Sequence, residues 1–352
     1  MPDKILANYF TQEATLTPFG KGLINTTWKV SSGNREFILQ RINRDVFKDP
    51  EKIAENISRI ARYLRNKFPG YLFVSPVSTL DGKTLVKTAA GDYYRLFPFV
   101  SGSHTLDVVE NKEQAYEAAR QFGLFTRLLA DFPVEDLELT LPDFHQLSFR
   151  YQQFETAVTT GNPKRIAQAK ELIGFLQSEK GIVEAYEKIL QLPAFKLRVT
   201  HHDTKISNVL FGDTDKGLCV IDLDTVMPGY FFSDVGDMLR TYLCPVSEEE
   251  TDFSGIEIRE DIFEAIVRGY LAEMKNELSA EEKKAFVFAG KFMIYMQALR
   301  FLTDYLNNDP YYGSRYEGQN YFRSGNQAAL LKALIRKASQ LERKVASILD
   351  AG

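Results

Sequence analysis

Residues 200–211 read THHDTKISNVLF, and residues 220–224 read VIDLD; together they carry the pattern from which the fold can be predicted. It contains His-x-Asp, an asparagine five residues after that aspartate, a short strand, a turn, and an apolar strand that ends in another aspartate. Phosphoryl transfer needs a positioned nucleophile and a neutralised phosphate charge more than it needs covalent chemistry. Asp203 can orient or accept the proton of a hydroxyl, and Lys205 can neutralise a migrating phosphoryl group. The pattern is therefore typical of a phosphoryl-transfer site.

The same stretch offers ligands for a divalent cation. The amide of Asn208 and the carboxylate of Asp222 are hard oxygen donors of the kind that Mg²⁺ prefers, with water and phosphate oxygens completing its shell. Asp224 follows Asp222 by two positions, so strand alternation places both on one side. Asp224 is accordingly either a second metal ligand or a solvated carboxylate.

The composition is that of a globular protein in water. Hydrophobic residues make up 44% and charged residues 26% of the sequence. The length of 352 residues suits two lobes that each have their own core. No apolar run approaches the ~20 residues of a bilayer span, and the amino terminus lacks signal-peptide features, so we expect a cytoplasmic protein with no membrane partner. The net charge of −4 gives no reason to expect a nucleic-acid partner. Cys219 and Cys244 are too few for a disulfide framework and are expected to be buried thiols.

Residues 1–100 have the pattern of short strands broken by turns, with one helix inserted. Asp49 followed by Pro50 is an N-cap with proline at the first helical position, and apolar residues then recur at helical spacing. The predicted strands are Thr15–Phe19, Ile24–Val30, Glu36–Ile42, Tyr71–Leu80, Lys83–Ala89 and Asp92–Phe97.

Beyond a connector at 97–102 the pattern changes to long helical periods, at Asn111–Ala130, Leu147–Thr159, Arg165–Leu190, Ile262–Leu278, Ser279–Asn307 and Gln327–Leu349. Ser279 and Glu282 have capping-box spacing. A strand pair, Val209–Phe211 with Leu218–Leu223, interrupts the helices. We expect an α+β protein with a β-rich N-terminal lobe at 1–100 and a mostly α-helical C-terminal lobe at 101–352.

HHDTKISNVLF and VIDLD resemble the catalytic and metal loops of the aminoglycoside phosphotransferase/choline kinase family, which shares the protein-kinase fold. The resemblance implies a two-lobe kinase fold, ATP and Mg²⁺ as cofactors, Asp203 as the catalytic carboxylate and Asp222 as the metal-binding aspartate. It further implies that His201 is a scaffold that packs the loop, and that Asp234 braces the loop from beneath.

The resemblance also implies a nucleotide site on the N-terminal lobe. Residues 20–28, GKGLINTTW, lie where the family keeps its phosphate-covering loop, so Gly20, Gly22, Asn25 and Thr26 are expected to meet phosphates, although the alternative is an ordinary hairpin. Residues 94–102, YRLFPFVSG, resemble the hinge, where the backbone of Pro98, Phe99 and Val100 would bind adenine, although most of these side chains also suit a core strand.

The third strand departs from the family. Gln40 occupies the position of the phosphate-pairing lysine, and Arg41 beside it is expected on the other face of the pleat. Either the Gln40 amide meets the phosphates or a bulge brings Arg41 in. The role of the helix glutamate, Glu55 or Glu51 one turn earlier, is open as a result.

Two patches point to the acceptor. Residues 221–229, IDLDTVMPG, and residues 299–307, LRFLTDYLN, resemble the N-acetylhexosamine 1-kinases, a branch of the family that phosphorylates the anomeric hydroxyl. A small-molecule sugar, N-acetylglucosamine or N-acetylgalactosamine, is the expected substrate, with Arg300 and Asp304 binding it and Asp203 meeting its hydroxyl. Arg300 and Asp304 can instead form an i,i+4 ion pair. The alternative acceptors are choline, homoserine or an aminoglycoside, and the alternative function is that of an inactive nucleotide-binding pseudokinase.

Overall fold

The computed structural model describes residues 3–20 and 24–351. The N-terminal region is one antiparallel sheet with two helices. In chain order its elements are α1 (Asp3–Leu6), β1 (Thr15–Pro18), β2 (Thr26–Ser32), β3 (Arg35–Arg41), α2 (Pro50–Lys67), β4 (Val86–Lys87) and β5 (Tyr93–Pro98). The strand order is β1-β2-β3-β5-β4, so the third strand pairs directly with the fifth.

The two faces of this sheet have different surroundings. Val30, Phe37 and Leu96 share one face and form a small core with α1. Gln40 pairs with Arg95 across the ladder, and residues that face each other in a ladder share a face, so these two side chains lie on the other side. That side is turned toward the C-terminal region, and the register of β3 and β5 therefore decides which polar groups meet the catalytic segment.

Helix α2 begins as its sequence predicts and is anchored away from the sheet. The Asp49 side chain accepts a hydrogen bond from the backbone N–H of Lys52, and Pro50 occupies the first turn. Apolar residues of its buried face, including Ile53 and Ile57, belong to the core of the C-terminal region. The buried Asn56 amide also donates to backbone carbonyls of that region. Helix α2 is thus fixed to the C-terminal region.

The C-terminal region is mostly helical. Its first helices are α3 (Lys112–Leu128), α4 (Leu147–Thr160), α5 (Pro163–Gln168), α6 (Lys170–Ser178) and α7 (Gly181–Leu190). Four short strands follow, β6 (Arg198–Thr200), β7 (Val209–Phe211), β8 (Gly217–Val220) and β9 (Met227–Gly229), then α8 (Phe231–Tyr242), α9 (Glu260–Met274), α10 (Ala280–Lys284), α11 (Phe286–Leu306) and α12 (Gln319–Asp350). Strand β6 pairs with β9 and β7 with β8, so both short pairs flank the catalytic segment.

Several predicted elements were wrong in detail. Residues 71–80 form no strand: Pro76 cannot donate to a ladder, and a single bond from the Val77 N–H to the Leu96 carbonyl joins the segment to β5. The helix predicted at Arg165–Leu190 is three helices, and the one at Ser279–Asn307 breaks at Ala285. The capping box at Ser279 and Glu282 is present, with both reciprocal hydrogen bonds. In the part of the chain described here, no helix is long and apolar enough to cross a membrane.

Candidate active site

The catalytic segment, residues 201–208, lies between β6 and β7 and is held in place by two carboxylates of helix α8. Asp234 accepts hydrogen bonds from the backbone N–H groups of His201, at 3.0 Å, and His202, at 2.8 Å. Asp237 accepts one from the Thr204 N–H at 2.8 Å. The chain bends sharply here, and His202 adopts a left-handed backbone conformation with φ 65°. The bend leaves these backbone N–H groups without partners in a strand or helix, and the two carboxylates satisfy them. The sequence analysis expected the contact of Asp234 and overlooked Asp237.

Asp203 lies at the tip of this segment with both carboxylate oxygens engaged. Oδ1 lies 3.0 Å from Nζ of Lys205, and Oδ2 accepts a hydrogen bond from the Asn208 amide at 2.9 Å. Desolvation alone would raise the pKa of Asp203, but the charge of Lys205 and the hydrogen bonds from Lys205 and Asn208 hold it below its ordinary value. The carboxylate is therefore ionised near neutral pH and can accept a hydrogen bond from a hydroxyl.

Asn208 and Asp222 are adjacent because the Ile221 N–H donates to the Asn208 carbonyl at 2.8 Å. The side-chain nitrogen of Asn208 donates to Asp203, which leaves its amide oxygen free of that contact. Asp222 has a left-handed backbone, φ 60°, and its exposed carboxylate accepts no hydrogen bond from the described residues. Although this carboxylate reaches solvent on one side, desolvation by the protein on its other sides, with the negative charges of Asp224 and Asp203, raises the pKa of Asp222 to about 7.

These two residues fit a divalent cation. A carboxylate with a raised pKa and no protein donor gains most from a nearby positive charge. No group of three or more His, Cys, Asp or Glu side chains suited to a metal occurs within 3–20 and 24–351. A cation at Asn208 and Asp222 would thus take most of its ligands from water and phosphate, as Mg²⁺ does.

Asp224, the third expected metal ligand, is placed differently from Asp222. It is buried, and its Oδ1 forms an ion pair with the equally buried guanidinium of Arg95. Its Oδ2 accepts a hydrogen bond from the Asn25 amide at 2.8 Å. Neither alternative from the sequence, a second metal ligand or a solvated carboxylate, describes these contacts, because the strand ends at Val220 and Asp224 lies in a helical turn turned toward the sheet.

His201 makes the contacts of a neutral, fixed imidazole. Its Nε2 lies 2.9 Å from the Ile221 carbonyl oxygen, so this nitrogen must carry the proton and donate, and Nδ1 can accept from the Asp203 N–H at 3.4 Å. Burial lowers the pKa of His201, and the ring packs edge-on against Phe122. Both nitrogens are used within the fold.

The nucleotide side is described in part. Gly20 adopts a positive φ of 75° at the end of the first strand, and Gly22 lies outside the described residues. Asn25 bridges two elements, since its amide nitrogen donates to Asp224 and its amide oxygen accepts from the Asn43 N–H at 3.0 Å. Thr26 pairs with Arg41, so it lies on the sheet face opposite Gln40, and Thr27 takes the inner position.

In the predicted hinge, one backbone donor is already used. The Phe99 N–H donates to the Glu36 carbonyl at 3.1 Å, whereas the Val100 N–H has no partner among the described residues. Pro98 carries no N–H and offers only its carbonyl. A nucleobase at this edge would therefore meet the Pro98 carbonyl and the Val100 N–H.

The structure decides between the alternatives for the third strand. Arg41 faces away from Gln40 and forms a half-exposed ion pair with Asp92. Gln40 itself accepts two hydrogen bonds from Arg95 on its amide oxygen, at 3.1 and 2.8 Å. Thus no bulge brings Arg41 inward, and the charged group beside Gln40 comes from β5. The sequence signal for it was a single arginine in an otherwise apolar strand, YYRLFP.

The glutamates of α2 lie apart from this group. Glu55 is more than half exposed and pairs with Arg59 one turn later, and Glu51 contacts the Tyr93 hydroxyl and Lys87. Both line a cavity of about 630 Å³ on the far side of the helix from the catalytic segment.

On the acceptor side, Arg300 lies among aromatic rings near the catalytic segment. Its guanidinium carbon is 5.3 to 5.7 Å from the ring centroids of Phe144, Tyr311 and Tyr312. The ring of Phe144 stacks on His145 at 4.4 Å, and His145 lies 5.1 Å from the ring of His202. Arg300 is thereby connected to the residue next to Asp203.

Asp304 neither pairs with Arg300 nor opens to this space. It is buried and accepts hydrogen bonds from the backbone N–H groups of Tyr311, at 2.8 Å, and Tyr312, at 2.9 Å. The predicted i,i+4 pair is replaced because the loop after α11 folds back and supplies these donors. Asp304 thus holds the loop that carries the two tyrosines.

Further charged residues at this end were missed by the sequence analysis. Arg150 is partly buried near Arg300, and Glu248 bridges Arg240 and Arg323. They come from helices and loops far apart in the chain, so no local motif marks them.

The fold and the site define a protein-kinase-like phosphotransferase: an antiparallel sheet followed by a helical region, with an aspartate, an asparagine and a second aspartate around one loop. A sequence model of the phosphotransferase enzyme family matches residues 15–276, most of the chain. The chain belongs to this family, and it is a small-molecule phosphotransferase of that kind.

Solved structures with the same fold act on different acceptors. A microcompartment-associated aminopropanol kinase is 16% identical, with a TM-score of 0.65 and 97% of each chain covered. An amicoumacin kinase in complex with AMP-PNP and Ca²⁺ is 15% identical, with a TM-score of 0.60, covering 97% of this chain and 92% of that one. A choline kinase from Cryptosporidium parvum is 15% identical, with a TM-score of 0.59, covering 99% and 98%. At such identities the likeness shows the fold and leaves the acceptor to be argued from the site.

Proposed function

We propose that the protein is an ATP-dependent, Mg²⁺-requiring kinase that phosphorylates the anomeric hydroxyl of N-acetylglucosamine or N-acetylgalactosamine. The observation that carries the kinase assignment is the hydrogen-bonded group of Asp203, Lys205 and Asn208, with Asp222 beside it. The products would be the sugar 1-phosphate and ADP.

In the reaction, Asp203 accepts a hydrogen bond from the acceptor hydroxyl and aims its oxygen at the γ-phosphorus of ATP. A bond forms between that oxygen and phosphorus, the bond from phosphorus to the β,γ-bridging oxygen breaks, and ADP leaves. Because the pKa of Asp203 is held low, the carboxylate is a weak base, so it orients the hydroxyl first and receives the proton late, as suits a loose transition state. Lys205 faces the migrating group, and a divalent cation at Asn208 and Asp222 would neutralise phosphate charge.

The acceptor assignment is supported by the charge and shape of the space around Arg300. A guanidinium whose Nη2 lies 3.5 Å from the Tyr311 hydroxyl suits the oxygens and the N-acetyl carbonyl of a sugar. Arg150 and Arg300 share a neighbour, since Arg150 lies 3.5 Å from the Phe144 carbonyl oxygen and Arg300 lies over the Phe144 ring. Burial first, and then the positive charge of Arg300, lowers the pKa of Arg150. Two cations side by side disfavour a quaternary amine, which is bound by aromatic faces without competing positive charge.

The second candidate is an amino-alcohol kinase, because the aminopropanol and choline kinases share the fold. An ADP-release assay with N-acetylglucosamine, N-acetylgalactosamine, choline, homoserine and an aminoglycoside separates the candidates. The matched control is the methyl glycoside of N-acetylglucosamine, which keeps every recognition group and lacks the free anomeric hydroxyl.

We expect ADP release with a free hexosamine, none with the methyl glycoside, and a sugar 1-phosphate by phosphorus NMR. Turnover of an amine alone would replace the sugar assignment by the amino-alcohol one. Nucleotide binding without turnover of any acceptor would support a pseudokinase.

A further inference from the structure

A buried arginine on β5, Arg95, contacts Asp224 in the loop that follows β8. The kinase pattern places its cation on the third strand and not on this one. Arg95 is 2% exposed and lies on the same sheet face as Gln40, its ladder partner. Burying a guanidinium is costly unless its charge is compensated and its N–H groups are bonded. The position therefore needs an explanation beyond packing.

The contacts of Arg95 form a bridge between the sheet and the metal-binding loop. Nε and Nη2 donate to the Gln40 amide oxygen, and Nη1 pairs with Asp224. The other oxygen of Asp224 binds Asn25, at the start of β2 beside the predicted phosphate-covering turn. One guanidinium thus lies between the turn, the third strand and the cation ligands.

Kinases of this fold hold a lysine of the third strand in an ion pair with a helix glutamate, and the lysine meets the nucleotide phosphates. Here the lysine position is Gln40, and Glu55 on α2 pairs outward with Arg59. Arg95 on β5 forms an ion pair with Asp224, and this pair lies beside Gln40, where other kinases have the lysine. Gln40 keeps a role as the amide that orients the guanidinium.

We propose that Arg95 supplies the fixed positive charge for the phosphates of the bound nucleotide, and that Asp224 is its counterion and not a metal ligand. This inference rests on the proposed function only in that a nucleotide binds between the sheet and the catalytic segment. Its consequence is that the charge is tied to the metal loop instead of to helix α2.

The test is titration calorimetry of the intact protein with ADP and with adenosine, which share the base and sugar and differ in phosphate. Arg95→Met should weaken ADP binding about 10-fold or more, the effect of losing one charge-assisted contact, and change adenosine binding less than about twofold. Arg41→Met is the matched control, since it removes an arginine from the opposite face of the neighbouring strand. That variant should leave both affinities unchanged.

A double variant guards against a folding defect. Gln40→Lys with Arg95→Gln moves the cation from β5 to the third strand and leaves an amide at residue 95. Thermal unfolding checks each variant, and the double variant should bind ADP within about fivefold of the wild type, as one charge-assisted contact is retained.

Unchanged ADP affinity in Arg95→Met overturns the inference, as does an equal loss for ADP and adenosine, which would make Arg95 a packing residue. If Arg95→Met does not fold, the double variant decides, and adenosine binding without ADP binding in it overturns the inference. A wild-type protein that binds neither ligand would instead contradict the proposed function.

Discussion

The two walls of the nucleotide site are built in different ways. On the side of the C-terminal region, residues 200–222 carry the whole kinase pattern on one short stretch, and α8 holds it by backbone hydrogen bonds to Asp234 and Asp237. On the sheet side, the cation is Arg95 on β5 and the anion is Asp224. Other kinases of this fold use a lysine of the third strand and a glutamate of the helix. A hydroxyl-orienting carboxylate must sit within fractions of an ångström, whereas a fixed charge can come from any element that reaches the same place.

The largest effect is expected at the catalytic carboxylate of the first wall, where Asp203→Asn should reduce kcat about 10³-fold. The amide keeps the shape of the side chain but cannot accept the hydroxyl proton. Unfolding temperature and ADP affinity should stay near wild-type values, measured by scanning calorimetry and titration. Asp213→Asn, in the exposed β7–β8 turn, is the control. Near-normal turnover in Asp203→Asn would remove this residue from the chemistry.

The sheet side of the nucleotide site is tested by substituting two carboxylates, Asp224 and Glu55, and comparing the two variants. Asp224→Asn should lower kcat/KM for ATP about 10-fold or more, because it leaves the buried Arg95 charge without its counterion. Glu55→Gln should change kcat/KM less than about twofold, since its ion pair with Arg59 is exposed. Steady-state kinetics of both variants, with unfolding temperatures alongside, decide the matter. The reverse order of effects would place the ion pair on α2 after all.

A smaller effect on the kinetics is expected from the acceptor site, which lies outside both walls of the nucleotide site. Arg300→Met should raise KM for N-acetylglucosamine about 10-fold to 100-fold with kcat and ADP affinity little changed, because a charge-assisted contact to the sugar is lost. Arg336→Met, exposed on α12, is the control. An unchanged sugar KM would leave Arg300 as a support for Tyr311 and Tyr312 alone.

The smallest effect concerns stability in acid. Burial alone would raise the pKa of Glu248, but Arg240 and Arg323 lower it to about 2. A depressed carboxylate pKa stabilises the fold above the unfolded-state value near 4.5, and the contribution is lost as pH falls toward 2. Glu248→Gln should thus unfold about 2 °C or more below wild type at pH 7, and the gap should close toward pH 2. Glu184→Gln, exposed on α7, should show no such gap, and a constant Glu248→Gln gap would contradict the assigned pKa.

Elements and residue groups whose members lie close together along the chain could be predicted from the sequence. The fold expected from the catalytic pattern is confirmed, the N-cap of α2 and the capping box at Ser279 are present, and Asp203 and Asn208 meet because five residues separate them on one loop. Local backbone geometry and side-chain spacing suffice for these, since each depends on one turn of chain.

The pairing of charges across the molecule depends on how distant elements pack, and the sequence alone does not predict it. Asn25 meets Asp224 across 199 positions, and Arg95 and Asp304 acquire partners that no local spacing indicates. A buried charge takes whichever partner the packing of other elements brings within reach, so its partner depends on strand register and on where α2 and the 311–312 loop dock. That choice is a property of the assembled core and not of any one segment.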